Sequence, residues 1–109
     1  MNSYVVNLYP VPNEFGLGQA LDVDGTVLSF TNNFDPKTTC CYITTDGADF
    51  YVTFDGSDPS STNGHYLKSP YVAWWSKEAT RVAKMLAHGG AIAHIRMSQF
   101  TDRKSTRLN

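Results

Sequence analysis

The sequence has few cysteines and no long hydrophobic segment. Its 109 residues include two cysteines, Cys40 and Cys41, which are adjacent. Because neighbouring side chains of a strand point to opposite faces, these thiols cannot readily bond to each other, and two cysteines are too few for a structural zinc site. We therefore expect reduced thiols, with one of them packed in a core. No apolar run approaches the roughly 20 residues that cross a bilayer, so we expect no membrane partner.

The sequence also lacks a secretory leader and a strongly basic character. Residues 1–4 are not a basic segment followed by a long apolar one, so we expect a protein made in the cytosol. The net charge of -1 argues against general nucleic-acid binding. Residues 1–60 hold eight acidic side chains and one basic side chain, Lys37. This acidic part attracts the more basic remainder in the fold, gives the domain one acidic and one basic face, or contributes to a mixed, solvated surface, which is the alternative we favour.

Strand signals dominate the chain. Hydrophobic residues make up 41% of the sequence and aromatic residues 13%, which is enough for one folded domain with a modest core. Runs rich in β-branched and aromatic residues, or alternating in polarity, predict strands at residues 4–9, 26–30, 38–45, 49–54, 65–68, 71–75 and 91–100. Residues 10–18 contain two prolines and two glycines and predict a loop.

Local signals set the connections between these elements. Asp46-Gly47 predicts a hairpin between strands 38–45 and 49–54, because glycine accepts the positive φ that such turns need. Ser76 predicts the N-cap of a helix from Lys77 to about Ala87. Together these elements predict a mainly β fold, a small antiparallel β-sandwich or open barrel with one short helix near the C-terminus.

Acidic residues, glycines and a proline fall between the predicted strands, where they favour turns. We assign turns to Asp46, Gly47, Asp55, Gly56, Asp58, Pro59 and Gly64. Together with Asp49, the acids of this group would bind calcium if their loops converged, but the chain has no EF-hand pattern. His65, His88 and His94 lack the spacing of metal ligands. We therefore predict no metal and no cofactor.

One short motif is typical of an enzyme family. Asp22-Val23-Asp24-Gly25-Thr26 matches the Asp-x-Asp-Gly-Thr signature of haloacid-dehalogenase-like phosphatases. In that family the first aspartate attacks phosphorus, the second acts as acid and base, and both help to hold magnesium. The preceding residues 15–21 are loop-like, and a doubly wound domain needs several βαβ units that the remaining chain does not supply. We therefore favour a turn at Asp24-Gly25 and predict no enzymatic activity, with a phosphatase fragment as a remote alternative.

The last residues differ in character from the rest. Residues 102–109 are polar, basic and aperiodic. At every position they resemble the translation of a common short-read sequencing adapter, which indicates a source sequence assembled from environmental reads. We therefore predict that the native domain spans residues 1–101 and that the tail is not native. A genuine solvated basic tail is the alternative.

The segment 51–60 resembles part of a known module. Its sequence, Tyr-Val-Thr-Phe-Asp-Gly-Ser-Asp-Pro-Ser, is similar to the Tyr-Thr-x-Asp-Gly-Ser-x-Pro-Thr hairpin of chitobiase/hexosaminidase C-terminal-type β-sandwich modules. This resemblance implies a carbohydrate-binding accessory module whose aromatic side chains stack on sugars.

A second resemblance covers more of the chain. Residues 38–100 resemble small structural proteins of tailed-phage virions, through Asp55-Gly56, the strand at 71–75, the helical stretch at 79–86 and the final Gly89-Gly90 strand. Ser60 replaces the usual threonine of that pattern, and paired tryptophans are unusual in it. The resemblance implies capsid decoration, stabilisation or head–neck attachment. The protein would be assembled in the host cytoplasm and packed as a homo-oligomer or with other virion proteins.

Aromatic residues are the candidates for such contacts. Tyr71, Trp74 and Trp75 lie together, and Trp and Tyr are enriched at the energetic centres of interfaces. Alternation along a strand would place one tryptophan in the core and the other outside. Of the two resemblances we favour the virion protein, with the carbohydrate module as the alternative.

Overall fold

The computed structural model describes residues 4–12 and 18–108. The elements in chain order are β1 (Tyr4–Pro12), β2 (Gly18–Val23), β3 (Cys40–Gly47), β4 (Phe50–Thr53), β5 (His65–Leu67), β6 (Tyr71–Ser76), α1 (Lys77–Val82), β7 (Lys84–Ala87) and β8 (Ala93–Leu108). Within these residues no helix is long and apolar enough to cross a membrane.

The strands form two antiparallel sheets, which confirms the predicted mainly β sandwich with one short helix. The large sheet has the order β1-β8-β3-β6, and β2 also pairs with β8. Strand β8 is central: β2 and β1 follow one another along one of its edges, and β3 lies along the other. The small sheet has the order β5-β4-β7.

The core lies between the sheets. Alternation along β8, as the sequence predicts, puts Ala93, Ile95, Met97 and Gln99 on one face, which lies inside, and turns the side chains between them outward. Opposite them, both long strands of the small sheet contribute fully or nearly fully buried side chains. These are Phe50, Val52, Met85 and Ala87.

The predicted hairpin between β3 and β4 is wrong. Strand β3 pairs with β6 and β8 in the large sheet, whereas β4 pairs with β5 and β7 in the small sheet. Gly47 has a φ of 84°, and a Cβ at that position would lie 2.5 Å from the carbonyl oxygen of Ile92. Asp46 and Gly47 end β3, and the chain then crosses from one sheet to the other. The prediction that Asp46 and Gly47 form a turn is therefore also wrong, since both are paired strand residues, opposite His94 and Ala93 of β8.

The predicted helix begins where expected and ends early. The Ser76 hydroxyl oxygen accepts a hydrogen bond from the amide of Ala79 at 3.1 Å, so the predicted N-cap is confirmed. The helix stops at Val82, and residues 84–87 form β7 against β4. Pairing in the small sheet outweighs the helix propensity of Lys, Met, Leu and Ala in this segment.

Two further predictions are wrong. Residues 18–21, predicted as loop, belong to β2, and residues 10–12 extend β1. The predicted strand at 26–30 contributes one isolated bridge, between Leu28 and Met85. The part of the predicted loop at 13–17 lies outside the described residues.

The end of the chain continues β8. The backbone of residues 102–108 pairs with β1, with Leu108 opposite Tyr4. That residues 102–109 are not native stays a prediction.

Candidate interaction surfaces

The outer face of the large sheet carries a group of aromatic side chains. Tyr42 of β3 lies opposite Trp74 of β6, and Phe100 of β8 packs beside both. The ring centroid of Trp74 is 4.8 Å from that of Tyr42 and 4.9 Å from that of Phe100. Trp74 is 47% exposed and its neighbour on the same face, Val72, is 59% exposed. We call these four residues the aromatic patch.

The two tryptophans have opposite surroundings. Trp75 is 7% exposed, its indole N–H donates a hydrogen bond to the Tyr71 hydroxyl at 3.0 Å, and its ring packs edge-on against Phe54. Tyr71 is half-buried and meets Phe50 with centroids 6.0 Å apart. The predicted split of one tryptophan inside and one outside is confirmed. Of the three candidate contact residues, Trp74 therefore presents the most ring surface for a partner.

Two polar contacts between strands lie on the same outer face of the large sheet as the aromatic patch. Arg96 contacts Asp46 at 2.8 Å, and His94 contacts Asp22 at 2.7 Å. The hydrogen bond from Arg96 lowers the pKa of Asp46, and the same bond raises the pKa of Arg96. The charges of Arg96 and Asp46 therefore neutralise each other on this part of the face.

The two aspartates of the phosphatase-like motif are held separately. Asp22 lies in β2 and pairs with His94, while a side-chain oxygen of Asp24 accepts a hydrogen bond from the Thr26 amide at 2.9 Å. That bond forms the turn predicted at Asp24-Gly25. The strand before the turn is antiparallel to β8.

A second surface group lies on the outer face of the small sheet, and sequence reasoning missed it. Tyr51, Tyr66 and His88 have ring centroids 5.3–5.6 Å apart, and the Tyr51 hydroxyl is 2.7 Å from Nδ1 of His88. Tyr66 is 43% exposed and donates a hydrogen bond to Asp49. This bond lowers the pKa of Asp49 and raises that of Tyr66. We call these four residues the tyrosine–histidine cluster.

Five of the seven predicted turn residues, all except Asp46 and Gly47, occupy the long connection from β4 to β5. A side-chain oxygen of Asp55 accepts hydrogen bonds from the hydroxyl and from the backbone amide of Ser57. Both bonds lower the pKa of Asp55, the bond from the hydroxyl more than the bond from the amide. The Lys84 ammonium contacts the Gly56 carbonyl and the Asp58 carboxylate. Pro59 is buried, and Gly64 has a φ of 103° with the Val52 carbonyl close by. These contacts fold the connection back to its own sheet.

Acids, histidines and cysteines do not converge in the part of the chain that the structure describes. Within it, no group of three or more His, Cys, Asp or Glu side chains is arranged to hold a metal ion. The two cysteines form no disulfide. Cys41 is buried, as predicted for one of the pair, and burial raises its pKa.

The aromatic patch and the tyrosine–histidine cluster are thus two exposed aromatic surfaces on opposite sides of the sandwich. Comparisons with protein-family models, with curated protein sequences and with solved structures find no significant match. The interactions of this chain are therefore inferred from these two surfaces.

Proposed function

We propose that this domain is a non-enzymatic structural protein of a tailed-phage virion, where it decorates or stabilises the capsid or attaches at the head–neck region. It acts by packing against other copies of itself or against other virion proteins, and it needs no cofactor, nucleic acid or membrane. Assembly takes place in the host cytoplasm. The resemblance of residues 38–100 supports this class of protein, and the aromatic patch supports contact through protein packing.

The aromatic patch is the observation that carries the proposal. Trp74 and Val72 expose large apolar surfaces side by side on one face. The ring of Trp74 already packs against Tyr42 and Phe100, which fix its orientation. Little side-chain entropy is therefore lost when a partner covers Trp74. On the same face, the charges of Arg96 and Asp46 neutralise each other, so this pair does not repel a second protein. The patch therefore has the chemistry of an interface centre.

Replacing Trp74 with serine is expected to weaken self-association about 30-fold, the factor that corresponds to a hot-spot loss of about 2 kcal/mol. Multi-angle light scattering over a dilution series measures this change, with reducing agent present. We expect the wild-type chain to form a defined symmetric oligomer and the Trp74→Ser variant to dissociate at higher concentration.

The matched control is Tyr66→Ser, because Tyr66 is a similarly exposed aromatic on the other sheet. It should leave self-association unchanged. The opposite result would be a wild-type chain that stays monomeric at every concentration and a Trp74→Ser variant that behaves in the same way. In that case the aromatic patch would no longer support the proposal.

A carbohydrate-binding module is the second candidate, and the tyrosine–histidine cluster favours it. The exposed ring of Tyr66 offers an apolar face on which a sugar ring can stack, with Asp49 and His88 beside it as hydrogen-bonding groups.

If this candidate is correct, wild-type protein will be retained on insoluble chitin or cellulose and the Tyr66→Ala variant will lose most of that retention. The bound fraction in a pull-down measures the effect. Trp74→Ala is the matched control and should bind like the wild type. Equal losses in both variants, or no retention at all, would count against this second function.

A further inference from the structure

Strand β6 leaves one edge of the large sheet open. Among the described strands it pairs with β3 alone. Its six residues, Tyr71–Ser76, contain no charged side chain and no proline. Natural proteins usually protect an edge strand with charges, prolines, bulges or a covering segment, because its backbone groups otherwise recruit another strand.

Other edges of the sandwich carry such protection. The edge of β7 is covered by Leu28, which exchanges two backbone hydrogen bonds with Met85, so that an irregular segment occupies the place of a further strand. At the start of β2, the Asn32 side-chain amide donates a hydrogen bond to the Gly18 carbonyl at 2.6 Å, and the backbone amides of Thr31 and Asn32 donate hydrogen bonds to the Gln19 side chain. An irregular segment therefore lies against this end of β2.

The remaining edges are protected by sequence or by length. Strand β1 contains Pro10 and Pro12, and proline cannot donate a hydrogen bond to a neighbouring strand. The far half of β8, beyond its pairing with β3, contains charged residues at 102–104. Strand β5 has three residues. Strand β6 therefore stands out as a long, uncharged and uncovered edge.

We propose that β6 pairs antiparallel with β6 of a second copy about a two-fold axis, so that the two large sheets become continuous. This inference rests on the proposed function and names its partner as the same chain. An edge-to-edge pair of this kind is isologous and closes as a dimer.

The pattern of side chains favours one register. A two-fold axis perpendicular to the sheet pairs outward side chains with outward ones. If Ala73 lies on the axis, Val72 of each copy faces Trp74 of the partner subunit, and the two most exposed apolar side chains of β6 cover each other. If Trp74 lies on the axis, the two Trp74 side chains face each other and each Val72 faces the small polar Ser76 instead. Only the first register gives every Val72 and every Trp74 an apolar side chain opposite it.

A charge on the open edge tests the inference. Val72→Lys places a charged side chain on β6, and we expect it to raise the dimer dissociation constant about 30-fold, an effect of the size of a hot-spot residue. The matched control is Thr44→Lys, because Thr44 lies directly opposite Val72 on the same outer face but on the interior strand β3. We expect this control to change the constant less than threefold. Analytical ultracentrifugation gives both constants, and circular dichroism checks that each variant is folded.

Hydrogen exchange on the wild-type chain provides a second measurement. Amides of β6 should exchange more slowly at concentrations above the dissociation constant, whereas amides of β2 should not change. Equal weakening by Val72→Lys and Thr44→Lys, without added protection of β6, would mean that the copies pack face to face, which overturns the edge pairing and leaves the proposed function standing. A chain that is monomeric at all concentrations would overturn the edge pairing and also the self-association expected of the aromatic patch.

Discussion

The Phe50→Ala variant is expected to lose about 3–5 kcal/mol of the free energy of unfolding, the cost typical of truncating a buried phenylalanine. Phe50 is fully buried and lies on the central strand of the small sheet, with Leu67 opposite it on one side and Ala87 on the other. Its ring meets Tyr71 of the large sheet edge-on, with centroids 6.0 Å apart. The side chain therefore joins the two sheets, and its removal leaves a cavity where they meet.

Urea denaturation followed by tryptophan fluorescence measures this loss, because Trp75 lies in the same core. Val82→Ala is the surface control, since Val82 is exposed at the end of α1, and it should change stability by less than about 0.5 kcal/mol. Phe50→Leu should retain most of the stability, which would show that the free energy of unfolding depends on the volume of the side chain at position 50. A loss below about 1.5 kcal/mol for Phe50→Ala would mean that the two sheets do not depend on this contact.

Regular local patterns allowed much of the fold to be predicted. The alternation from residue 91 to residue 100 identified the strand and its two faces, because β8 has one face in the core and the other exposed. Ser76 identified the start of α1, because a cap depends on a few neighbouring atoms. These features are encoded within a few residues of where they occur.

Long-range pairing explains the failures. Residues 84–87 have good helix formers, and only the presence of β4 beside them makes them a strand. Asp46 and Gly47 are the last two residues of β3 and not a turn, because they pair with His94 and Ala93 of β8, and the strands before and after this point belong to different sheets. Residues 18–23 form β2 because β8 offers a free edge, which their own composition does not reveal.

For the two aromatic surfaces, too, local features could be predicted from the sequence and long-range contacts could not. Alternation within β6 predicted that one tryptophan would be exposed, but not that Tyr42 and Phe100 would pack around it, since these come from strands far apart in the sequence. The tyrosine–histidine cluster was missed for the same reason: Tyr66 and His88 are brought to Tyr51 by separate strand pairings. The sequence signal that could have indicated these surfaces is the outward-facing aromatic residue at positions 42, 51 and 66.

A buried polar residue links the last strand to a distant loop. Gln99 is fully buried within the row of apolar side chains on β8. Its Oε1 accepts hydrogen bonds from the Asp35 amide at 3.0 Å and from the Thr38 hydroxyl at 2.7 Å, and its Nε2 donates one to the Asn33 carbonyl at 3.1 Å. One side chain thereby holds the loop before β3 against the large sheet.

Replacing Gln99 with methionine, which is similar in volume, is expected to cost about 2–3 kcal/mol, because the three loop groups lose their shared partner in a partly buried site. Urea denaturation measures the cost, with the neighbouring outward substitution Ser98→Ala as a control that should be nearly neutral. Thr38→Val combined with Gln99→Met should cost less than the sum of the single changes, since both remove the same hydrogen bond. Faster amide exchange at Asp35 in the Gln99→Met variant would locate the effect in the loop. Strict additivity of the two changes, or a Gln99→Met variant as stable as the wild type, would show that packing of the side chain and not its hydrogen bonds fixes the loop.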